Sequence, residues 1–155
     1  VGRPHIARAL VNKGYVSSID EAFSRYLKKG AVAYVEKFRF PPEEAIAIIR
    51  RAGGIAVLAH PFTLGMDKPD ELALLVHELA KMGLEGIEVF YPGHTEDMVV
   101  IYEGVAKRLG LVCTGGSDFH GNFRDHSYLG KTILGKELDY ELLQDLKERL
   151  VERKD

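Results

Sequence analysis

The chain has 155 residues, a formal net charge of −2 at pH 7, and apolar and charged fractions of 46% and 28%. These values are typical of one globular domain with its own core, and they exclude a chain that is disordered throughout. Acidic and basic residues are mixed along the sequence, so no broad basic face predicts binding to extended duplex nucleic acid or to an anionic membrane.

The cysteine content and the apolar segments indicate the cellular compartment of the protein. No segment approaches the roughly 20 apolar residues of a membrane span, and no secretory signal opens the chain. The single cysteine, Cys113, lies in the apolar segment LVCTGG and has no partner for a disulfide. This is consistent with a reducing compartment. We therefore expect a cytoplasmic protein in which Cys113 is a small buried residue.

The N-terminal segment predicts two short helices. In RPHIARALVNKG, Pro4 stands where a helix begins and Gly14 where it ends. In SSIDEAFSRYLKKG, Ser18 and Glu21 have the spacing of a capping box, and Gly30 follows the last apolar position. The next segment, AVAYVEKFRF, predicts an extended linker that could hold a short strand.

Helices and strands alternate in the rest of the chain. Helices are predicted for PPEEAIAIIRRAGG, DELALLVHELAKMG, TEDMVVIYEGVAKRLG and DYELLQDLKERLVE. Strands are predicted for IAVLAHP, GIEVFYP and LVCTGGSD, with GKTILG as a candidate for a further short strand. Apolar strands separated by amphipathic helices are typical of a parallel sheet covered by helices. The sequence therefore predicts an α/β fold, either an open doubly wound sheet or a barrel.

Polar side chains lie within or just after the carboxyl-terminal parts of the three clearest strands. In chain order they are His60, Glu88, His94, Asp118 and His120. In parallel α/β folds, binding and catalytic groups gather at this edge of the sheet. The strand ends therefore mark the candidate functional site.

Asp118 and His120 in GGSDFHGN are separated by one residue, so in an extended chain their side chains point the same way and can bind one ion. A carboxylate with a neutral imidazole suits Zn, Mn or Fe. The alternative is a turn-capping aspartate and an ordinary loop histidine. His60 favours the metal, because a histidine ending a buried strand is unfavourable unless its nitrogens have partners. Its own alternative is a structural histidine bonded to the backbone.

Other polar residues leave two interpretations open. Arg3 and His5 lie at a predicted helix start, where free amides favour an anion, and are either a phosphate clamp or exposed helix residues. His94 has the same two interpretations. Glu88 either orients a ligating histidine or bonds amides at the sheet end. His77, within a predicted helix, is expected to be structural or exposed.

Five motifs resemble the C-terminal part of the PHP (polymerase and histidinol phosphatase) metal-dependent phosphoesterases: GRPHIARALV, EAFSRYL, GGIAVLAHP, GIEVFYPGHT and GGSDFHG. Their order is that of the subgroup that hydrolyses nucleoside 3',5'-bisphosphates and trims short RNA from its 5' end. The resemblance covers essentially the whole chain. It implies a distorted (β/α)7 TIM-like barrel, with a small helical insertion at residues 1–38 and the C-terminal half of the barrel at residues 39–155.

The resemblance also implies roles for individual residues. The AHP and SDFH motifs imply three metal ligands in a site for two or three Mn, Fe or Zn ions: His60, Asp118 and His120. The GRPHIA and YPGHT motifs imply three contacts to substrate phosphate: Arg3, His5 and His94. Metal-bound hydroxide would attack the phosphorus of a nucleotide or short oligonucleotide phosphate ester.

The remaining ligands of the PHP site have no counterpart in this sequence. The family's His-x-His motif, the ligands after it and a bridging glutamate would all precede Val1, which is not an initiator methionine. We therefore expect a piece of a longer protein, inactive or weakly active alone, because three ligands do not complete a multinuclear site. Unpaired strand edges would favour association with the missing half of the barrel or with a second copy.

Two other functions stay open. One is a non-catalytic module that uses the same pocket for a phosphate-bearing ligand or for assembly. The other is a polymerase-associated PHP module with a structural role, which the GRPHIA-type insertion disfavours. The coding sequence upstream of Val1 separates an enzyme from the first alternative, because it either contains a His-x-His segment or does not.

Overall fold

The chain divides into two compact units, Val1–Arg39 and Phe40–Asp155. Each unit has a cluster of buried apolar side chains of its own. The computed structural model describes residues 2–36, 38–66, 68–119, 129–132 and 137–153.

The first unit is helical. Helix α1 spans Arg3–Asn12, and helix α2 spans Ile19–Ala22 and continues into a π-helical turn at Phe23–Leu27. Ser18 Oγ accepts a hydrogen bond of 3.1 Å from the Glu21 amide, which caps α2 as the sequence predicts. The core of the unit consists of Ala7, Val16, Ala22 and Leu27.

The segment AVAYVEKFRF forms no strand in its described part, which excludes residue 37. Hydrogen bonds bend its beginning into turns: the Ala31 amide donates to the Lys28 carbonyl at 2.9 Å, and the Tyr34 amide donates to the Ala31 carbonyl at 3.0 Å. A backbone whose amides are used in local turns cannot offer them to a neighbouring strand. The short strand suggested by the apolar residues is therefore not found.

The second unit alternates between helices and strands, as the sequence predicts. In chain order its elements are α3 (Pro42–Arg51), β1 (Val57–Leu58), α4 (Pro69–Lys81), β2 (Gly86–Phe90), α5 (Glu96–Leu109), β3 (Val112–Gly115) and α6 (Glu141–Glu152). Strand β1 is much shorter than the apolar segment IAVLAHP. Among the described residues, none of the helices combines the length and the apolar content that a membrane crossing requires.

The three strands form a parallel sheet in the order β1-β2-β3. Gly86 of β2 lies opposite Val57 on one side and Val112 on the other. The parallel pairing confirms the predicted α/β class with covering helices. In the candidate strand GKTILG, Lys131 forms an isolated antiparallel bridge with Glu137, and the residues between positions 132 and 137 lie outside the described part of the chain.

The core of the second unit surrounds the central strand β2. Ile87 and Val89 are fully buried, and they belong to one apolar cluster with Val76 of α4 and Ala106 of α5. Burying large aliphatic side chains of this kind contributes about 1.5–3 kcal/mol each. Core packing therefore fixes strand β2, and with it the backbone of the polar residues at its carboxyl end.

Candidate metal and phosphate site

His60 follows β1 in a strained backbone conformation. Its φ and ψ angles are 47° and 51°, in the left-handed region. Few residues other than glycine adopt a positive φ, and asparagine, aspartate and histidine are the most frequent among them. The amide and the hydroxyl of Thr63 both donate to the His60 carbonyl, at 2.9 and 2.7 Å, as a short 3-10 turn begins. Such conformations persist where the surrounding contacts enforce them, and they cluster at functional sites.

Glu88 of β2 holds His60 through two contacts. Its Oε2 atom lies 2.7 Å from His60 Nδ1 and accepts a 2.8 Å hydrogen bond from the His60 amide. A carboxylate acceptor selects the ring form that is protonated on Nδ1, so that Nε2 carries the lone pair with which a histidine binds metal. Glu88 therefore makes both kinds of contact that the sequence leaves as alternatives, to a histidine ring and to a strand-end amide.

Asp118 follows β3 and also has a positive φ, of 49°. The hydroxyl of Tyr91, the residue after β2, donates a hydrogen bond of 3.1 Å to Asp118 Oδ2. The Tyr91 ring also lies 4.8 Å from the His60 imidazole, measured between ring centroids. Tyr91 therefore contacts two of the three predicted metal ligands.

The predicted metal ligands are described only in part. His120 lies outside the described residues, as does His126, for which the sequence offers no supporting pattern. Within the described part of the chain, no group of three or more His, Cys, Asp and Glu side chains is arranged to hold a metal ion. The imidazole of His60 and the carboxylate of Asp118 are donors that suit Zn, Mn or Fe. Two donors need at least one more to make a protein metal site.

His94 is enclosed by aromatic rings. It is only 4% exposed, and its ring centroid lies 5.4 Å from Phe62, 5.2 Å from Tyr91 and 4.9 Å from Tyr102. Its Nδ1 atom lies 2.7 Å from the Val89 carbonyl oxygen, to which the protonated nitrogen donates. Burial lowers the pKa of His94, and the hydrogen bond to Val89 acts in the opposite direction. The ring is therefore held in its neutral form.

Two features near His94 bear on its predicted phosphate contact. Its Nε2 atom is buried, with no hydrogen-bond partner in the described part of the chain. The first turn of α5, which begins just after it, carries Glu96 and Asp97. These carboxylates oppose the attraction that a helix N-terminus has for anions. The phosphate contact of His94 stays a prediction.

Arg3 and His5 lie in the first turn of α1, in the first unit. Arg3 Nη1 donates to the Leu27 carbonyl at 3.3 Å, and its guanidinium carbon lies 5.8 Å from the centroid of the Tyr34 ring. His5 is exposed, and its Nδ1 accepts a hydrogen bond of 3.2 Å from the Gly2 amide. His5 thus caps the start of α1, and Arg3 joins that start to the end of the π-helical turn. The role of both side chains toward phosphate stays a prediction.

Tyr91 is a member of the site that sequence reasoning did not single out. It lies at the end of the predicted strand GIEVFYP, before the predicted helix TEDMVVIYEGVAKRLG. The signal that could have found it is its hydroxyl: a tyrosine at the end of a buried strand usually finds a hydrogen-bond partner. Nothing in the local sequence identifies Asp118 as that partner.

Curated relatives of the chain act on phosphate esters and RNA, although no protein-family model matches it. A phosphoribosyl 1,2-cyclic phosphate 1,2-diphosphodiesterase of Eggerthella lenta is 36% identical over 129 residues, covering 83% of this chain and 47% of the relative. A 5'-3' exoribonuclease of Haemophilus influenzae is 37% identical, covering 90% and 48%. A 3',5'-nucleoside bisphosphate phosphatase of Chromobacterium violaceum is 36% identical, covering 77% and 42%.

Two solved structures share the fold. A Bifidobacterium adolescentis protein assigned as a metal-dependent phosphoesterase superimposes with a TM-score of 0.76 at 30% identity, covering 96% of this chain and 50% of that one. An amidohydrolase of Chromobacterium violaceum, determined with bound sulfate and no metal, superimposes with a TM-score of 0.70 at 32% identity, covering 96% and 51%. The chain spans about half the length of the curated relatives and of these structures. Homology over most of its own length places the chain in this family of phosphoesterases and confirms the resemblance to PHP proteins that its motifs predict.

Proposed function

We propose that this chain forms part of a metal-dependent phosphoesterase that hydrolyses phosphate esters of nucleotides or short oligonucleotides. The observation that carries the proposal is the arrangement of His60 and Asp118. Both follow parallel strands at the carboxyl edge, both have positive φ angles, and both contact Tyr91. Strained polar residues gathered at this edge are typical of catalytic sites in parallel α/β folds.

In this proposal His60 and Asp118 are metal ligands, with His120 as the third. His60 would use Nε2, because Nδ1 faces Glu88. Asp118 would supply negative charge that balances the cation. A bound divalent Mn, Fe or Zn ion polarises a phosphate ester and lowers the pKa of a bound water molecule. Similarity to a metal-dependent phosphoesterase of Bifidobacterium adolescentis supports a metal requirement. Similarity to an exoribonuclease and to a nucleoside bisphosphate phosphatase supports phosphate esters of nucleotides and RNA as substrates.

Arg3, His5 and His94 are proposed to contact the substrate phosphate. A guanidinium at a helix start is well suited to bind phosphate, because charge and free amides act together. The sulfate bound by the Chromobacterium violaceum amidohydrolase is an anion of the shape and charge type of phosphate, which supports an anion site in this fold. For His94 the proposal rests on its motif, since the ring is buried.

The proposal includes the architecture implied by the motifs. Residues 1–38 would be a helical insertion, and residues 39–155 the C-terminal half of a (β/α)7 barrel. The division of the chain after Arg39 and the parallel sheet support this assignment. A chain that spans half of its relatives would reach full activity only with the missing half of the barrel or with a second copy.

The test is hydrolysis of a nucleoside 3',5'-bisphosphate by the full-length protein as encoded by its gene, with Mn²⁺ present. We expect Asp118→Asn and His60→Gln to lower kcat at least about 100-fold, since each removes a metal ligand. His77→Gln is the matched control, because His77 is exposed on α4. Turnover that survives Asp118→Asn would contradict the proposal. Phosphate-ester binding without turnover in the wild type would favour the non-catalytic module.

A further inference from the structure

We infer that Glu88 and Tyr91 are positioning residues that set the metal-facing atoms of His60 and Asp118. The inference rests on the proposed metal site. Its basis is the placement of both residues on one element: Glu88 lies in the central strand β2, and Tyr91 directly follows it. The outer strands β1 and β3 lead to the two ligands, and the central strand holds them.

Glu88 acts on the ring and the backbone of His60 at once. One carboxylate oxygen accepts from the His60 amide at 2.8 Å and contacts Nδ1 at 2.7 Å. The amide contact stabilises the left-handed backbone of His60, and the ring contact selects the form that is protonated on Nδ1. Both effects direct the Nε2 lone pair away from Glu88. Carboxylates that accept from the second ring nitrogen of a metal-binding histidine orient it in this way.

Tyr91 acts on Asp118 through its hydroxyl and on His60 through its ring. The 3.1 Å hydrogen bond fixes the Oδ2 atom of Asp118, and the ring lies 4.8 Å from the His60 imidazole. The Tyr91 side chain is itself fixed, because it is only 8% exposed and packs against Phe62 at 5.4 Å between ring centroids. A rigid tyrosine therefore limits the directions in which the Asp118 carboxylate can point.

An irregularity in the pairing of β2 lies between these two residues. In a regular strand, residues three positions apart point to opposite faces of the sheet. The register of β2 against β3 shifts between Glu88 and Phe90. Such irregularities redirect side chains and occur next to active sites. The regular alternation of side chains is therefore interrupted between Glu88 and Tyr91.

Two residues provide matched controls. Glu85 precedes β2, and its side chain is 12% exposed, the same fraction as that of Glu88, but it pairs with Arg153 at 3.0 Å. Tyr102 is 5% exposed, close to the 8% of Tyr91, and it lies on α5 in the apolar core. Substitution of these controls removes the same chemical group from an equally buried position away from the two ligands.

The experiment measures Mn²⁺ affinity by calorimetry in the full-length protein. We expect Glu88→Ala to weaken Mn²⁺ binding about 10- to 100-fold, the range found when such partners of metal ligands are lost. Tyr91→Phe, which keeps the ring, should weaken it by a smaller factor. Glu85→Ala and Tyr102→Phe should leave Mn²⁺ affinity unchanged, even where they lower stability. If a variant and its matched control lose the same factor in Mn²⁺ affinity, the role of the residue is purely structural and the inference is overturned.

A second readout needs no metal. Nitrogen NMR of the neutral His60 ring should show Nδ1 protonated in the wild type and a mixture of the two ring forms in Glu88→Ala. Glu88→Gln, whose amide oxygen still accepts a hydrogen bond, should restore the Nδ1-protonated form and part of the Mn²⁺ affinity; this variant also covers a failure of Glu88→Ala to fold. An unchanged ring form and unchanged affinity in Glu88→Ala would overturn the inference. If the wild type binds no Mn²⁺, the proposed function fails, whereas the NMR result still decides whether Glu88 orients His60.

Discussion

The Tyr91 hydroxyl donates a hydrogen bond to Oδ2 of Asp118 across 3.1 Å. The bond joins the residue after β2 to the loop after β3, 27 positions further along the chain. It can form only because Phe90 lies opposite Gly115 in the parallel sheet, which brings the two strand ends side by side. The register of β2 against β3 therefore fixes the position of a proposed metal ligand.

The buried His94 makes the stability of the second unit depend on pH. Its pKa in the folded chain lies below the ordinary value of 6.5, chiefly because of burial. Between these two pKa values the unfolded chain binds a proton that the folded chain does not, so stability falls as pH decreases. Full stability is expected above pH 6.5, and urea unfolding at pH 7.5 and at pH 5.5 should show the loss.

A substitution isolates the contribution of His94. His94→Phe removes the titrating group and keeps an aromatic ring in the cluster. We expect a smaller difference in unfolding free energy between pH 7.5 and pH 5.5 than in the wild type, together with a loss of about 1 kcal/mol at pH 7.5 from the missing bond to Val89. His77→Gln, on the exposed face of α4, is the control for the loss of a histidine outside the aromatic cluster. A His94→Phe variant with undiminished pH dependence would refute this explanation.

The close approach of β2 and β3 requires glycine at position 115. A Cβ atom there would lie 2.6 Å from Leu138 Cδ2, 2.7 Å from Phe90 Cβ and 2.8 Å from the Phe90 carbonyl oxygen. The Phe90 contacts involve atoms of a buried strand that cannot move aside, so Gly115→Ala should destabilise the chain by about 1–3 kcal/mol. Chemical denaturation measures this loss.

Gly104 supplies the comparison for Gly115. It lies within α5, and a Cβ atom there would meet nothing within 4 Å. Gly104→Ala should therefore stabilise the chain by about 0.5–1 kcal/mol, since alanine favours a helix interior. Equal effects of the two substitutions would show that the sheet is less tightly packed at position 115 than described.

Arg153 ties the end of α6 to the beginning of the sheet. Its Nη1 atom donates to the Gly54 carbonyl at 2.8 Å and to Glu85 Oε2 at 3.0 Å. Arg153→Met should cost about 1–3 kcal/mol, because it leaves a partly buried carboxylate with a weaker partner. Arg51→Met, at an exposed position of α3, is the control and should change stability by less than about 0.5 kcal/mol. If Arg153→Met lowers the unfolding free energy no more than Arg51→Met does, the contacts of Arg153 do not stabilise the fold.

Local patterns predicted most of the elements but not their lengths. Helices α3 to α6 occur where apolar periodicity and end signals place them. The apolar segment IAVLAHP yields only Val57–Leu58 as strand. Strand length depends on how far a neighbour continues the hydrogen-bond ladder, and β1 has a described neighbour on one side only. Sequence periodicity contains no information about that neighbour.

The sequence predicts candidate metal ligands but not the contacts that support them. His60 and Asp118 stood out because polar groups at the ends of apolar strands need partners. The pairing of Glu88 with His60 was one of two alternatives, and Tyr91 was not singled out. These contacts depend on the order and register of the strands, which a single sequence does not specify. The positive φ angles at His60 and Asp118 likewise have no local signal, since neither residue is glycine.

The most direct test of the account is to locate metal by anomalous X-ray diffraction from crystals of the full-length protein soaked in Mn²⁺. The account predicts anomalous peaks about 2 Å from His60 Nε2 and from the Asp118 carboxylate, from one shared ion or from two neighbouring ions. Asp118→Asn crystals treated in the same way should have a weaker peak or none. Bound Mn²⁺ that contacts neither His60 nor Asp118, or no bound Mn²⁺ at all, would contradict the account.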